Sequence, residues 1–164
     1  EAVNQLYLKE DMIAAEFGAG SANFTIALAK KLPKGRVYAL DIQEGKLSAL
    51  NGKIKQQNIS NIFTILCDLE SERGSTLADN YLDIVLLPNV LFQAEDIHAM
   101  LEEGNRVLKP AGQLLVIDWL KANAFGPKKM VKPEEVKKIA EDLGFSLKRE
   151  FASGDYHYGL LFIK

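Results

Sequence analysis

Five short apolar runs, at residues 12–17, 36–40, 62–66, 82–87 and 113–117, constrain this chain more than any other feature. Most are continuously apolar rather than alternating, as expected of strands covered on both faces. The segments between them carry a helical period instead. Phe24, Ala27, Leu28 and Leu32 share one helical face, as do Leu47, Leu50 and Ile54, and later Ile97, Met100, Leu101 and Leu108. Strand and helix alternating in this way predict right-handed crossovers and a parallel sheet with helices on both faces, an α/β fold.

The last third departs from that rhythm. Pro133 suits the first turn of a helix, Glu134 and Glu135 suit its positive end, and Val136, Ile139, Ala140 and Leu143 recur at helical spacing before Gly144. Two further strands, 145–152 and 156–163, are joined by the short Ser153-Gly154-Asp155 connection, so a hairpin closes the sheet with one antiparallel strand. Segments 68–80 and 120–132 read as loops. With 164 residues and no internal repeat or dividing linker, the whole of 1–164 reads as a single domain. No apolar stretch approaches the length of a membrane span, and no signal-peptide pattern opens the chain. The single cysteine, Cys67, excludes an internal disulfide and suits the cytoplasm, while a net charge of −2 gives no reason to expect wholesale nucleic-acid binding.

The first strand leads into Gly18-Ala19-Gly20, a bare turn that lets a ligand approach the backbone. A pyrophosphate-binding loop would place a third glycine where Asn23 stands, and Glu16 beside the turn would repel an anion. A cationic amino group or sulfonium would be attracted. Asp41, at the tip of the second strand, is placed to accept hydrogen bonds from both hydroxyls of a ribose. Together these features describe a nucleoside with a positive tail and no phosphate, and S-adenosylmethionine meets that description. Read separately, Glu16 could be a strand-end charge and Asp41 a cap for the helix that follows.

At this point the sequence resembles the class I S-adenosylmethionine-dependent methyltransferases, of the group that includes ubiquinone/menaquinone-biosynthesis methyltransferases, over nearly its whole length. The resemblance implies a Rossmann-like, seven-stranded sheet with order 3-2-1-4-5-7-6. "AEFGAGSANFT" is similar to the family's glycine-rich motif and implies cofactor contacts at Glu16, Gly18, Ala19, Gly20 and Ser21. "VYALDI" implies Asp41 as ribose acid with Ile42 beside the adenine. "ILCDLE" implies Asp68 at the adenine amino group with Cys67 or Leu69 on the ring. "LDIVLLPNVLFQAED" implies Pro88, Asn89 and Val90 beside the methionine part, and "GNRVLKPAGQLLVIDW" marks the fifth strand. Three departures stand out. Ala22 and Ala111 replace glycines common in such motifs, and Phe92-Gln93 stands where the family often has histidines.

Methyl transfer from a sulfonium needs nucleophile and methyl carbon held in line, and a base only when the nucleophile carries a proton of high pKa. Candidates for that chemistry sit at the carboxyl edge of the sheet. Asp118 or His157 is expected to orient or deprotonate the acceptor, with Trp119, Tyr156 and Tyr158 lining its pocket. His98 reads as a helix-surface residue, and Cys67 as packing rather than as a nucleophile. Lys121, Lys128, Lys129 and Lys132 read as a solvated loop, with steering of RNA as the other use. No metal site is expected. A small-molecule acceptor, covered by 120–132 and the N-terminal segment, is favoured over RNA or protein, and a cofactor-binding protein without transferase activity remains the non-enzyme reading. An NAD-dependent oxidoreductase conflicts with Asn23 and Glu16.

Overall fold

The structure, a computed structural model, describes residues 2–121 and 126–164. Seven strands form one sheet: β1 (Ile13–Phe17), β2 (Arg36–Asp41), β3 (Ile62–Leu66), β4 (Leu82–Pro88), β5 (Leu108–Trp119), β6 (Ser146–Ser153) and β7 (His157–Ile163). Their order is β3-β2-β1-β4-β5-β7-β6. The first five are mutually parallel, and β7 lies antiparallel between β5 and β6. This is the Rossmann-like arrangement implied by the motifs, down to the final hairpin.

The helices are α1 (Asn23–Lys31), α2 (Glu44–Gln56), α3 (Ile97–Val107) and α4 (Pro133–Asp142). Two apolar clusters sandwich the sheet. One gathers Phe17, Leu40, Leu87, Leu101, Val116 and Phe162, and the other Leu28, Leu32, Val37, Ile84, Leu115 and Leu161. The odd and even positions of each strand thus feed different cores, which is why the runs in the sequence carry no polar alternation. α4 ends in a Schellman motif: Gly144, at φ 92°, turns the chain while Phe145 N–H donates to Ala140 O at 2.9 Å and Gly144 N–H to Glu141 O at 2.9 Å.

Several boundaries differ from the expectation, among them those of the closing hairpin, whose strands are Ser146–Ser153 and His157–Ile163 rather than 145–152 and 156–163. The first strand starts at Ile13 rather than Met12. Leu108 belongs to β5 and not to the helical face of Ile97, Met100 and Leu101. β5 also begins five residues before the apolar run suggests, because Leu108 already pairs with Leu82 of β4 and the Lys109–Gly112 portion is held by the last residue of the chain, with Ala111 N–H donating to Lys164 O and Lys164 N–H donating to Gly112 O, both at 3.0 Å.

Both alanines that replace family glycines are left-handed, Ala22 at φ 66° and Ala111 at φ 63°. That conformation costs an L-residue about 1 kcal/mol or more, which is the physical reason glycine is common there. Ala22 recovers part of the cost because its methyl group is buried in the second apolar cluster. Ala111 is exposed and recovers nothing. Ala111→Gly is therefore expected to stabilise the fold by about 0.5 to 1 kcal/mol after allowing for the added freedom of the unfolded chain, read as a higher urea midpoint at unchanged slope.

Candidate functional site

The carboxyl ends of β1 to β4 open into a cavity of about 270 Å³. All thirteen residues singled out for the cofactor line it: Glu16, Gly18, Ala19, Gly20, Ser21, Asp41, Ile42, Cys67, Asp68, Leu69, Pro88, Asn89 and Val90. It lies where open α/β sheets take ligands, beyond the strand ends at the point where the order reverses about β1.

The turn after β1 is held shut against β2. Gly18 N–H and Ala19 N–H both donate to Leu40 O, at 2.8 and 2.9 Å. Gly20 N–H donates to Asp41 Oδ2 at 3.0 Å, and Gln43 N–H donates to Asp41 Oδ1 at 2.9 Å. Asp41 is thus both things the sequence allowed: it satisfies an amide at the start of α2 and it stands on the cavity wall. Gly18 has φ 74°, and a Cβ there would sit 2.5 Å from Val90 Cγ2, so the bare backbone is what leaves the cavity open between β1 and β4.

Glu16 differs from its sequence-level description. It is buried, its carboxylate accepts a hydrogen bond from the Thr25 hydroxyl of α1, and burial pushes its pKa up to about 8 against the smaller opposing effect of Thr25. The fixed negative charge read from the sequence is, in the free protein, a carboxyl that keeps its proton at neutral pH. Asp68 is exposed and is turned inward on its own loop, accepting from Glu70 N–H at 3.0 Å and Ser71 Oγ–H at 2.9 Å. Cys67 is half-buried, and burial raises its thiol to about 12, so it is no nucleophile. Ala22 does not line the cavity.

The sequence reading missed seven wall residues: Phe24, Gln43, Lys46, Glu70, Gln93, Ala94 and Met100. Most project from helices or turns whose orientation only packing decides. Gln43 directly follows the quoted "VYALDI" and Glu70 closes the quoted "ILCDLE", so both could have been found by reading those motifs one residue further. Glu70 is also a tie, accepting Glu95 N–H at 2.9 Å and Asp96 N–H at 2.6 Å, and so fastening the loop after β3 to the start of α3. Gln93 stands in the short 3-10 turn Leu91–Gln93 and donates to Asn89 O at 3.1 Å.

The residues expected to do chemistry do not converge on this cavity. Asp118 pairs with Tyr158 and Trp119 with His157 across β5 and β7. Neighbouring positions of a strand face opposite sides, so the two pairs are separated by the sheet itself. Asp118 is fully buried and accepts from Leu91 N–H at 3.0 Å and Trp119 N–H at 2.7 Å, with burial raising its pKa to about 6. It fastens the turn after β4 to the end of β5, and it is not placed as a base. The Tyr158 hydroxyl is buried with no partner among the described residues, and its pKa is raised by that burial. Trp119 and His157 pack ring against ring in a tilted arrangement, with centroids 4.3 Å apart at 42°. Tyr156 is exposed, and none of Asp118, Trp119, Tyr156, His157 or Tyr158 lines the cavity.

The expected cover is absent too, among the described residues. The N-terminal 3-10 turn Ala2–Gln5 packs its apolar side on the second cluster, and Tyr7 and Gln113 exchange two hydrogen bonds of 2.8 Å, all away from the cavity mouth. No described residue of 120–132 reaches the cavity, and residues 122–125 of that proposed cover lie outside the described residues. Among the described residues no cluster of metal-ligating side chains occurs, and no helix is long and apolar enough to cross a membrane.

Comparison with known proteins adds the decisive observation: a family model described as a methyltransferase domain matches residues 15–116, from the buried end of β1 through most of β5. The chain belongs to the methyltransferase domain family. The demethylmenaquinone methyltransferase of Geobacillus stearothermophilus is 28% identical over 131 residues, covering 77% of this chain and 53% of the relative. The malonyl-[acyl-carrier protein] O-methyltransferase of Priestia megaterium is 28% identical over 117 residues, covering 69% of this chain and 40% of the relative. The chain thus spans about half the length, or less, of the curated relatives it matches. Among solved structures, a SAM-dependent methyltransferase from Aquifex aeolicus superposes with a TM-score of 0.87 at 27% identity, covering 98% of this chain and 86% of that one. This methyltransferase domain is of class I, and its family's cofactor is S-adenosylmethionine. The wall suits that molecule. Among the described residues, carboxyl groups at Glu16, Asp41, Asp68 and Glu70 line the wall against one cation, Lys46, which favours hydroxyls, amines and positive charge over phosphate.

Proposed function

We propose that this methyltransferase domain, taken as the single unit 1–164, binds S-adenosylmethionine in the cavity beyond β1 to β4 and directs its methyl group to a small-molecule acceptor, leaving S-adenosylhomocysteine. The observation that carries the reading is the meeting of a bare glycine turn with the carboxyl groups of Glu16 and Asp41 in one cavity. In this reading Asp41 accepts from the ribose hydroxyls, Asp68 from the adenine amino group, and Ile42 and Leu69 flank the ring, while Ser21 and the amides of the turn border the amino-acid tail. Pro88, Asn89 and Val90 hold the region of the sulfur.

Bound S-adenosylmethionine supplies a methyl group already activated on a sulfonium. What remains for the protein is alignment and exclusion of water, to which Gly18, Val90 and Phe24 would contribute as lining of the cavity wall. Asp118 enters this scheme as the residue that positions the Leu91–Gln93 turn, and thereby Val90 and Gln93, rather than as an acid or base. A small acceptor is supported by the names of the relatives, whose substrates are a quinone precursor and a carrier-bound malonyl group. RNA is less well supported, because exposed Lys128, Lys129 and Lys132 stand away from the cavity. The cytoplasm is the proposed compartment, in keeping with a single half-buried cysteine.

Thermal unfolding tests the cofactor reading. S-adenosylhomocysteine at about 100 times its dissociation constant is expected to raise the midpoint by roughly 5 to 10 °C, from about 2.7 kcal/mol of linkage, while NAD at the same concentration leaves it unchanged. A shift with NAD and none with S-adenosylhomocysteine would overturn it. Transfer of labelled methyl groups to a panel of quinols, carboxylates and amines then identifies the acceptor.

A further inference from the structure

We propose that the free edge of β3 is a docking surface for a second copy of this chain, the two β3 strands pairing antiparallel about a two-fold axis at Thr64 so that both sheets join into one. The surface lies outside the cavity, and the proposal holds whichever ligand the cavity takes.

The two edges of the sheet are built differently. β6 carries Lys148, Arg149 and Glu150, and its register with β7 shifts between Leu147 and Arg149. Charges and an irregular register are what keep an exposed edge from pairing with another chain. β3, at the other end of the strand order, reads Ile62-Phe63-Thr64-Ile65-Leu66, with no charge, no proline and no register shift. Phe63 is 44% exposed and Leu66 56%.

The backbone of β3 fits a copy of itself. Val37 N–H donates to Asn61 O at 2.9 Å, and Cys67 N–H donates to Asp41 O at 3.1 Å. In a parallel ladder these two bonds fix the phase. Phe63 and Ile65 turn their backbone polar groups towards β2, while Ile62, Thr64 and Leu66 turn theirs outward. Among the described residues no group hydrogen-bonds those outward N–H and C=O groups. With the axis at Thr64, Thr64 faces the partner's Thr64, and Ile62 faces the partner's Leu66. Each of these pairs exchanges both backbone hydrogen bonds. Between them Phe63 meets the partner's Ile65 at a position without backbone bonds, where opposed side chains approach most closely. Aromatic against β-branched, and threonine against threonine, are both favourable cross-strand pairs.

Charge selects the same orientation. Asp68 and Glu72 are exposed beyond the carboxyl end of β3, and Lys55 is exposed in the last turn of α2, ahead of its amino end. Antiparallel pairing turns the acids of each copy towards the lysine of the other, whereas parallel pairing would bring like charges together. A five-residue edge buries little area, so the dimer is a weak one, with a dissociation constant on the order of 10 µM.

Sedimentation velocity from about 1 to 500 µM reads the association, and the expected result is a monomer that becomes a dimer across that range. Residue-resolved amide exchange at the upper concentration reads the surface. A bare edge gives fast exchange at Ile62, Thr64 and Leu66 between slow Phe63 and Ile65, and pairing is expected to slow all five alike. Thr64→Pro removes only an outward N–H, which an edge strand tolerates, and Phe63→Lys places a charge on the edge. Each is expected to raise the dissociation constant at least thirtyfold. Neither residue lines the cavity, so binding of S-adenosylhomocysteine is expected to stay unchanged in both. A chain that stays monomeric throughout overturns the proposal, including the case in which the edge serves an extended segment of a different protein. A dimer that persists in both variants, or that leaves the alternating exchange intact, overturns it as well. Where Thr64→Pro fails to fold, Phe63→Lys and the exchange pattern of the unaltered protein still decide.

Discussion

Asp41→Ala is expected to weaken S-adenosylhomocysteine binding by a factor of 100 or more while the domain stays folded. The carboxylate has two jobs that one substitution removes together. It accepts Gly20 N–H at 3.0 Å and Gln43 N–H at 2.9 Å, which fixes the glycine turn against the start of α2, and its remaining lone pairs face the proposed ribose position. Two charge-assisted hydrogen bonds to a ligand are worth roughly 1.5 to 3 kcal/mol each, so a loss of about 3 kcal/mol is a conservative figure. Asp41→Asn should cost less, because one oxygen survives while the new amide group must face a backbone N–H. Titration calorimetry on both variants, with circular dichroism to establish folding, gives the result. An alanine variant that binds within threefold of the original would mean that the ribose lies elsewhere.

Asp118→Ala is expected to lower stability by about 2 to 4 kcal/mol, which is roughly 4 to 16 °C in midpoint for a domain of this size. The substitution strands the buried amides of Leu91 and Trp119, whose hydrogen bonds are 3.0 and 2.7 Å. Removing a carboxyl that is itself poorly solvated offsets part of the loss. The pH dependence separates the two effects. Burial raises Asp118 to about 6, so the folded state holds its proton more tightly than the unfolded chain. Its contribution is therefore most favourable below about pH 4 and is lost as pH rises towards 6. The alanine variant should lack that part of the slope. A catalytic Asp118 would behave otherwise, with turnover collapsing at unchanged midpoint, and that outcome would restore it to the mechanism.

The parts of the site that were legible in the sequence are those written in continuous stretches. Glu16 and Gly18 to Ser21, Asp41-Ile42, Cys67 to Leu69 and Pro88 to Val90 each close a strand or directly follow one, so a strand assignment alone carries them to one edge of the sheet, and they share one cavity. Phe24, Lys46 and Met100 were not legible because a helical residue reaches the edge only through the rotation its packing imposes. The error over Asp118 and His157 has a different origin. Both stand at the carboxyl edge, as a hairpin there requires, yet adjacency along β5 and β7 does not bring their side chains together. Strand alternation already separates Asp118 from Trp119 and His157 from Tyr158, and that rule is available from sequence alone. Glu16 shows a third kind of gap. Its identity was evident, but its protonation depends on Thr25 and on burial that no local pattern encodes.

The pairing of β1 with β4 has a consequence for how the chain matures. Ala14 meets Ile84 and Glu16 meets Leu86, so the strand bearing the glycine turn waits about seventy residues for its second neighbour. The cavity walls run from Glu16 to Met100, and no shorter stretch emerging from a ribosome contains them all. Closing such long loops is slow and entropically costly. Ligand capture must therefore come late, after the centre of the sheet has zipped, and its protective effect against proteases should extend over the whole polypeptide instead of shielding only the cleft.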